Sequence, residues 1–198
     1  MSARRGHITP PSVASISGMT ITPDTKDWTW VLRRPCPECG FDTQAFPREG
    51  VPEMIMANAV AWQEVLTGPG DVGTRRAPGT WSPLEYGCHV RDVFRLYDER
   101  LDMMLSRDDP LFPNWDQDET AVADRYAEQH PAEVAAELDE SAQRIAHRFQ
   151  GVTGDQWERT GNRSDGATFT VETFARYFIH DPVHHLYDVT GLRASVKP

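Results

Sequence analysis

Apolar residues recur at steps of three and four in four stretches of the chain, the period of a helix with one face turned inward. The first stretch runs from Val51 to Leu66, with Pro52 in its first turn and Ile55, Ala59, Trp62 and Leu66 on one side, and Gly68-Pro-Gly70 ends it. The second has the clearest start: Ser82 as N-cap, Pro83 at the first helical position and Glu85 completing a capping box. Its stripe of Val90, Phe94, Tyr97, Leu101, Met104 and Leu105 carries it to about Ser106. The third spans Thr120 to Phe149 and is interrupted at Pro131, after which Val134, Leu138, Ile145 and Phe149 repeat. The fourth spans Phe169 to Val189, with Gly191 as its stop. Four such segments predict an all-α fold, an antiparallel four-helix bundle.

The rest of the chain is less periodic. Residues 1–19 are rich in Ser, Pro and Gly and read as a flexible lead, with Met19 as an alternative start, so a single domain is expected over residues 20–198. The run Trp28-Thr-Trp-Val-Leu32 reads as extended chain that turns at Pro35-Cys-Pro-Glu-Cys-Gly40, and Gly161 to Gly166 reads as a loop.

Composition narrows the function classes. The 198 residues are 39% hydrophobic and 25% charged, which suits one soluble domain with a real core. A net charge of -10 with no cluster of Lys and Arg argues against nucleic acid. No apolar stretch approaches the roughly 20 residues of a membrane span, and no charged-then-apolar leader opens the chain. The expected setting is cytoplasmic and the expected partner a small-molecule substrate. Three cysteines cannot all pair, so a disulfide framework is not expected.

The candidate chemistry is imidazole. In the fourth segment Thr173, Tyr177, His180, His184 and Tyr187 follow steps of four, three, four and three, so His180 and His184 leave one face a turn apart. His185 points about 100° away, and Pro182 between the pair predicts a kink. A third donor, His89, lies at the edge of the core stripe of the second segment, with Asp92 a turn beyond to orient it. Three histidines would leave a coordination position open, as catalytic metals require. His7, His130 and His147 fit surface positions better.

Trp81-Ser-Pro-Leu-Glu-Tyr-Gly-Cys-His89, followed by His180-Asp-Pro-Val-His184-His185, resembles the DinB-like superfamily of metal-binding four-helix bundles. There a Trp-Ser/Thr-Pro turn opens the second helix, a histidine follows within it, and an H-x-x-x-H sits in the last helix. The resemblance covers about residues 50–190. It implies one divalent metal on His89, His180 and His184, with zinc the first expectation and nickel or manganese the alternatives. Because family members include S-transferases that use mycothiol or bacillithiol, and mycothiol-dependent maleylpyruvate isomerase is similar, the implied activity is thiol S-transfer to a small electrophile. A low-molecular-weight thiol would then be a co-substrate. A metal-dependent hydrolase and a non-catalytic binding protein are the alternatives. Bundles of this type often pair through exposed helix faces, which leaves a homodimer open.

Cys36-Pro-Glu-Cys39-Gly40 is not absorbed by this picture. It has the form of a zinc-knuckle half-site, but no second Cys-x-x-Cys follows, and Cys88 or a histidine would complete a site only if folding brought it there. A redox dithiol and a plain tight turn are the other readings, and the turn is preferred. Phe112 and Trp115, between acidic runs, are candidates for a lid over the end of the bundle.

Overall fold

The structure, a computed structural model, describes residues 27–194; the predicted lead, with His7 and Met19, lies outside the described residues. Five helices are present among them: α1 (Val51–Thr67), α2 (Pro83–Ser106), α3 (Gln117–Ala123), α4 (Pro131–Gln150) and α5 (Val171–Thr190). The four long ones form the bundle. Helices α1 and α2 each pack chiefly against both α4 and α5, so the two consecutive helices face each other across the bundle.

Local chemistry sets the helix limits as the sequence indicates. The Ser82 side chain accepts from the Glu85 N–H at 3.2 Å while Glu85 Oε2 accepts from the Ser82 N–H at 2.8 Å, closing the capping box at the head of α2. Glu85 also takes a two-point ion pair from Arg75, at 2.9 and 2.5 Å. Thr170 and Thr173 make the equivalent box on α5, which stops at Gly191, φ +71°. Despite Pro182, α5 is not interrupted; Asn58 Nδ2 donates to the Pro182 carbonyl at 3.0 Å. The core is centred on Phe178, whose ring meets Phe94, Tyr97 and Phe149 at 5.9, 4.9 and 6.0 Å.

Three expectations change. The segment after Asp27 is not extended: Trp28–Leu32 is a 3-10 turn, capped by the Asp27 carboxylate on the Thr29 N–H at 2.9 Å. A small sheet was not foreseen: β1 (Leu111–Phe112) runs parallel to β2 (Thr160–Arg163), which pairs antiparallel with β3 (Thr168–Thr170). The loop expected at Gly161–Gly166 is thus largely a hairpin, and Gly161 is required there because a Cβ would meet Met104 Cγ at 2.8 Å. The third helical segment begins early at Gln117, stops at Ala123 and restarts at Pro131, where the break was expected. Phe112 belongs to the core, whereas Trp115 faces a cavity.

Candidate metal centre

One helix carries two interleaved rows of donors. Residues 180 and 184 share one line along α5, and residues 181 and 185 share another about 100° around it. The structure gives each row different partners.

The first row meets the Cys-x-x-Cys turn. Cys36, Cys39, His180 and His184 are all buried, and their ligand atoms all lie within 4.8 Å of one another. Cys36 Sγ is 3.6 Å from His184 Nδ1, and Cys39 Sγ is 3.7 Å from His180 Nε2. Gly40, φ +79°, closes the turn by donating its N–H to the Cys36 carbonyl at 2.9 Å. Trp28 covers both imidazoles, with ring centroids 5.5 Å from His180 and 5.0 Å from His184.

The second row meets α2. His89, Asp181 and His185 form another group whose ligand atoms lie within 4.8 Å of one another. Asp181 Oδ1 is 3.3 Å from His89 Nε2 and 3.8 Å from His185 Nε2. His89 is fully buried, sandwiched near Trp81 and stacked on Trp115 at 5.3 Å and 6°. Neither His89 nitrogen has a hydrogen-bond partner, nor has Asp181 Oδ1, although that oxygen is buried. A close approach without hydrogen-bond geometry leaves lone pairs unused, at a cost of about 1–3 kcal/mol for each orphaned group. His185 Nδ1 is held by Asp188 Oδ2 at 2.9 Å, which turns its Nε2 toward Asp181.

Burial sets the protonation states. It pushes the Cys39 thiol up to about 12 and His180 down to about 4, and it lowers His89 and His184 as well. Asp181 is the exception: burial opposes its charge, but His89 and His185 hold its carboxyl well below the usual range. Neutral imidazoles beside a carboxylate are the state in which such groups bind cations.

Both rows edge a cavity of about 860 Å³. Its walls include Trp28 and Thr29 from the N-terminal turn, Tyr97 and Arg100 from α2, Trp115 from the connection after β1, and Arg163 and Asp165 from the β2–β3 hairpin. Arg163 donates to Tyr177 Oη at 3.2 Å and to Asp165 at 2.9 Å, fixing that wall.

The three histidines expected as ligands are therefore divided: His180 and His184 stand with the cysteines, and His89 with Asp181 and His185. No group containing all three is present among the described residues. Asp92 does not orient His89; it is taken by Arg91 at 2.9 Å and by Tyr126 Oη at 2.5 Å. Cys88 lies elsewhere, near Gln129 Oε1 at 3.4 Å. His130 and His147 are exposed, as expected. Asp181 and His185 were passed over in the sequence because they sit off the His180–His184 line; the four-residue spacing they share with each other was the available signal.

The fold is a helical bundle that gathers His, Cys and Asp side chains able to hold a metal ion beside a polar cavity. The sequence profile of the DinB superfamily matches residues 54–189, and the chain belongs to that superfamily. The fold is similar to the structure of YfiT from Bacillus subtilis, described as "a probable metal-dependent hydrolase with an unusual four-helix bundle topology". Identity to it is 20%, coverage is 94% of this chain and 91% of that one, and the TM-score is 0.60. No curated protein matches the chain. Among the described residues no helix is long and apolar enough to cross a membrane.

Proposed function

We propose that the protein is a metal-dependent enzyme whose reactive ion is held by His89, Asp181 and His185 at the wall of the cavity. The observation that carries this is the set of orphaned atoms: neither nitrogen of the fully buried His89 ring has a partner, and its Nε2 and the orphaned, buried Asp181 Oδ1 converge with His185, the third donor of the group. Two ligands about 2.0–2.1 Å from one ion at the tetrahedral angle stand about 3.4 Å apart, near the 3.3 Å between His89 Nε2 and Asp181 Oδ1. Three protein donors leave a position free. A divalent ion there would acidify a bound water or thiol and polarise the oxygen of an electrophile.

The donor set favours hydrolysis. Two imidazoles and one carboxylate are the ligand chemistry of water-activating zinc hydrolases, and the structural neighbour is described as "a probable metal-dependent hydrolase". The chain's own residues do the positioning. Asp188 fixes the His185 ring, Trp115 stacks on His89 and screens it from water, and Arg100 and Arg163 present cations to a polar substrate.

A second reading, thiol S-transfer, is favoured by the size of the cavity. At about 860 Å³ with a polar lining it has room for a sugar-bearing thiol beside a small electrophile. The two readings part experimentally. The zinc-loaded protein would be offered a panel of small esters, amides and epoxides with and without low-molecular-weight thiols. Turnover in water alone establishes the hydrolase, turnover that requires thiol establishes the transferase, and either should vanish in His89→Ala and His185→Ala. Activity that survives both substitutions would remove this centre from the chemistry.

A further inference from the structure

We propose that Cys36, Cys39, His180 and His184 form a second metal site, a closed four-ligand zinc centre that clasps residues 27–46 to α5. It is separate from the centre proposed above and does not depend on it.

Distance is the first argument. A Zn–S bond of about 2.3 Å and a Zn–N bond of about 2.0–2.1 Å at the tetrahedral angle place sulfur and nitrogen about 3.6 Å apart. The two Cys–His pairs stand at 3.6 and 3.7 Å. A thiol–imidazole hydrogen bond spans a similar length, so the pairs alone do not choose. What chooses is that the two pairs are not independent: all four ligand atoms lie within 4.8 Å of one another, as the corners of one tetrahedron must.

The surroundings supply the second argument. With His184 Nδ1 turned to the sulfurs, its Nε2 faces Glu38 Oε2 at 3.6 Å and Asp188 Oδ1 at 3.7 Å. A carboxylate behind a ligating imidazole is the usual way a metal-binding tautomer is fixed. Glu38 belongs to the Cys-x-x-Cys turn itself, so the turn brings both a ligand pair and an orienting carboxylate.

Charge is the third. On binding, the two thiols lose their protons to solvent and two neutral imidazoles give lone pairs, so a divalent ion becomes a neutral centre. Such a centre can be buried without an uncompensated charge. Cys36 and Cys39 are 2% and 0% exposed, which closes the sulfurs to substrate and makes the site structural rather than reactive. Its effect is mechanical: the segment it fixes carries Trp28 and Thr29, which form one wall of the cavity. Other ties there are the burial of Val31, Phe41 and Phe46, Ala194 N–H to the Cys39 carbonyl at 3.0 Å and Arg193 to the Pro37 carbonyl at 3.0 Å.

The test is metal counting and cobalt spectroscopy on the full chain, purified without chelator. Zinc analysis should show that Cys36→Ser/Cys39→Ser lowers the metal content of the wild type by one ion per chain. His89→Ala/His185→Ala should leave this ion in place. Should the cysteine variant fail to fold, the wild type alone decides: loaded with Co²⁺, it should show a thiolate-to-cobalt charge-transfer band and the strong visible absorption of a tetrahedral ion. Proteolysis within residues 27–46 should accelerate once a strong chelator removes the ion. A cobalt-loaded wild type without the charge-transfer band, an unchanged zinc content in the cysteine variant, or a Cys36–Cys39 disulfide in the isolated protein would each overturn the proposal.

Discussion

Replacing Glu85 by Gln tests how the helix that carries His89 is anchored. Glu85 is 3% exposed and does two jobs: it accepts from the Ser82 N–H at 2.8 Å and takes Arg75 at 2.9 and 2.5 Å. The amide keeps the shape and one acceptor oxygen, so part of the capping box survives, but the charge facing the half-buried guanidinium is lost. Breaking a buried pair from one side costs about 3–5 kcal/mol, and partial exposure of Arg75 reduces this to about 2 kcal/mol. For a chain of this size that lowers Tm by roughly 4–8 °C. The pH dependence is the sharper check. Burial by itself would raise the Glu85 pKa, but Arg75 and Ser82 more than reverse it and hold the carboxyl below its ordinary range. A depressed carboxylate stabilises the fold above its unfolded pKa, and that stability drains away as pH falls through the folded pKa. Urea denaturation of wild type and Glu85→Gln at pH 7, 5, 4 and 3.5 should therefore show a constant gap down to about pH 5 that narrows below it. A gap independent of pH, or one below about 0.5 kcal/mol at pH 7, would refute the reasoning.

Other outcomes follow from the packing. Phe178→Ala removes the ring shared by Phe94, Tyr97 and Phe149 and should cost about 3–5 kcal/mol in a denaturant titration. Two glycines separate backbone from packing effects. Gly191→Ala has open space around it but sits at φ +71°, so calorimetry should find a loss of only about 1 kcal/mol; Gly161→Ala puts a methyl 2.8 Å from Met104 and should lose more than Gly191→Ala. Trp115→Ala should leave the metal content intact while raising KM, and loss of metal in that variant would show the indole to be part of the ion's support.

What was legible in the sequence was what is local. The head of α2 could be placed to the residue because Ser82, Pro83 and Glu85 each answer a separate need of a helix start, and the stop of α5 at Gly191 likewise. The aromatic run Trp28–Leu32 was taken for extended chain on composition; the deciding contact is the Asp27 cap, which composition does not weigh. The pairing of β1 with β2 joins residues about fifty apart, beyond any local period. At the site, the sequence singled out α5 and His89, which the structure places in donor groups. It did not reveal which row of α5 faces which partner, because one residue step decides that, and only the assembled bundle fixes the rotation of the helix. The Cys-x-x-Cys run was read as a plain tight turn in preference to half a metal site, because the imidazoles it meets lie more than 140 residues on.

The superfamily match begins at residue 54, whereas Trp28 and Thr29, which wall the cavity, lie well before it. The donors of the centre proposed on α2 and α5 and part of the cavity wall thus belong to separate stretches of this chain. If the proposed centre is the reactive one, a substitution at Thr29 reshapes the cavity from outside the matched stretch and leaves His89, Asp181 and His185 in place.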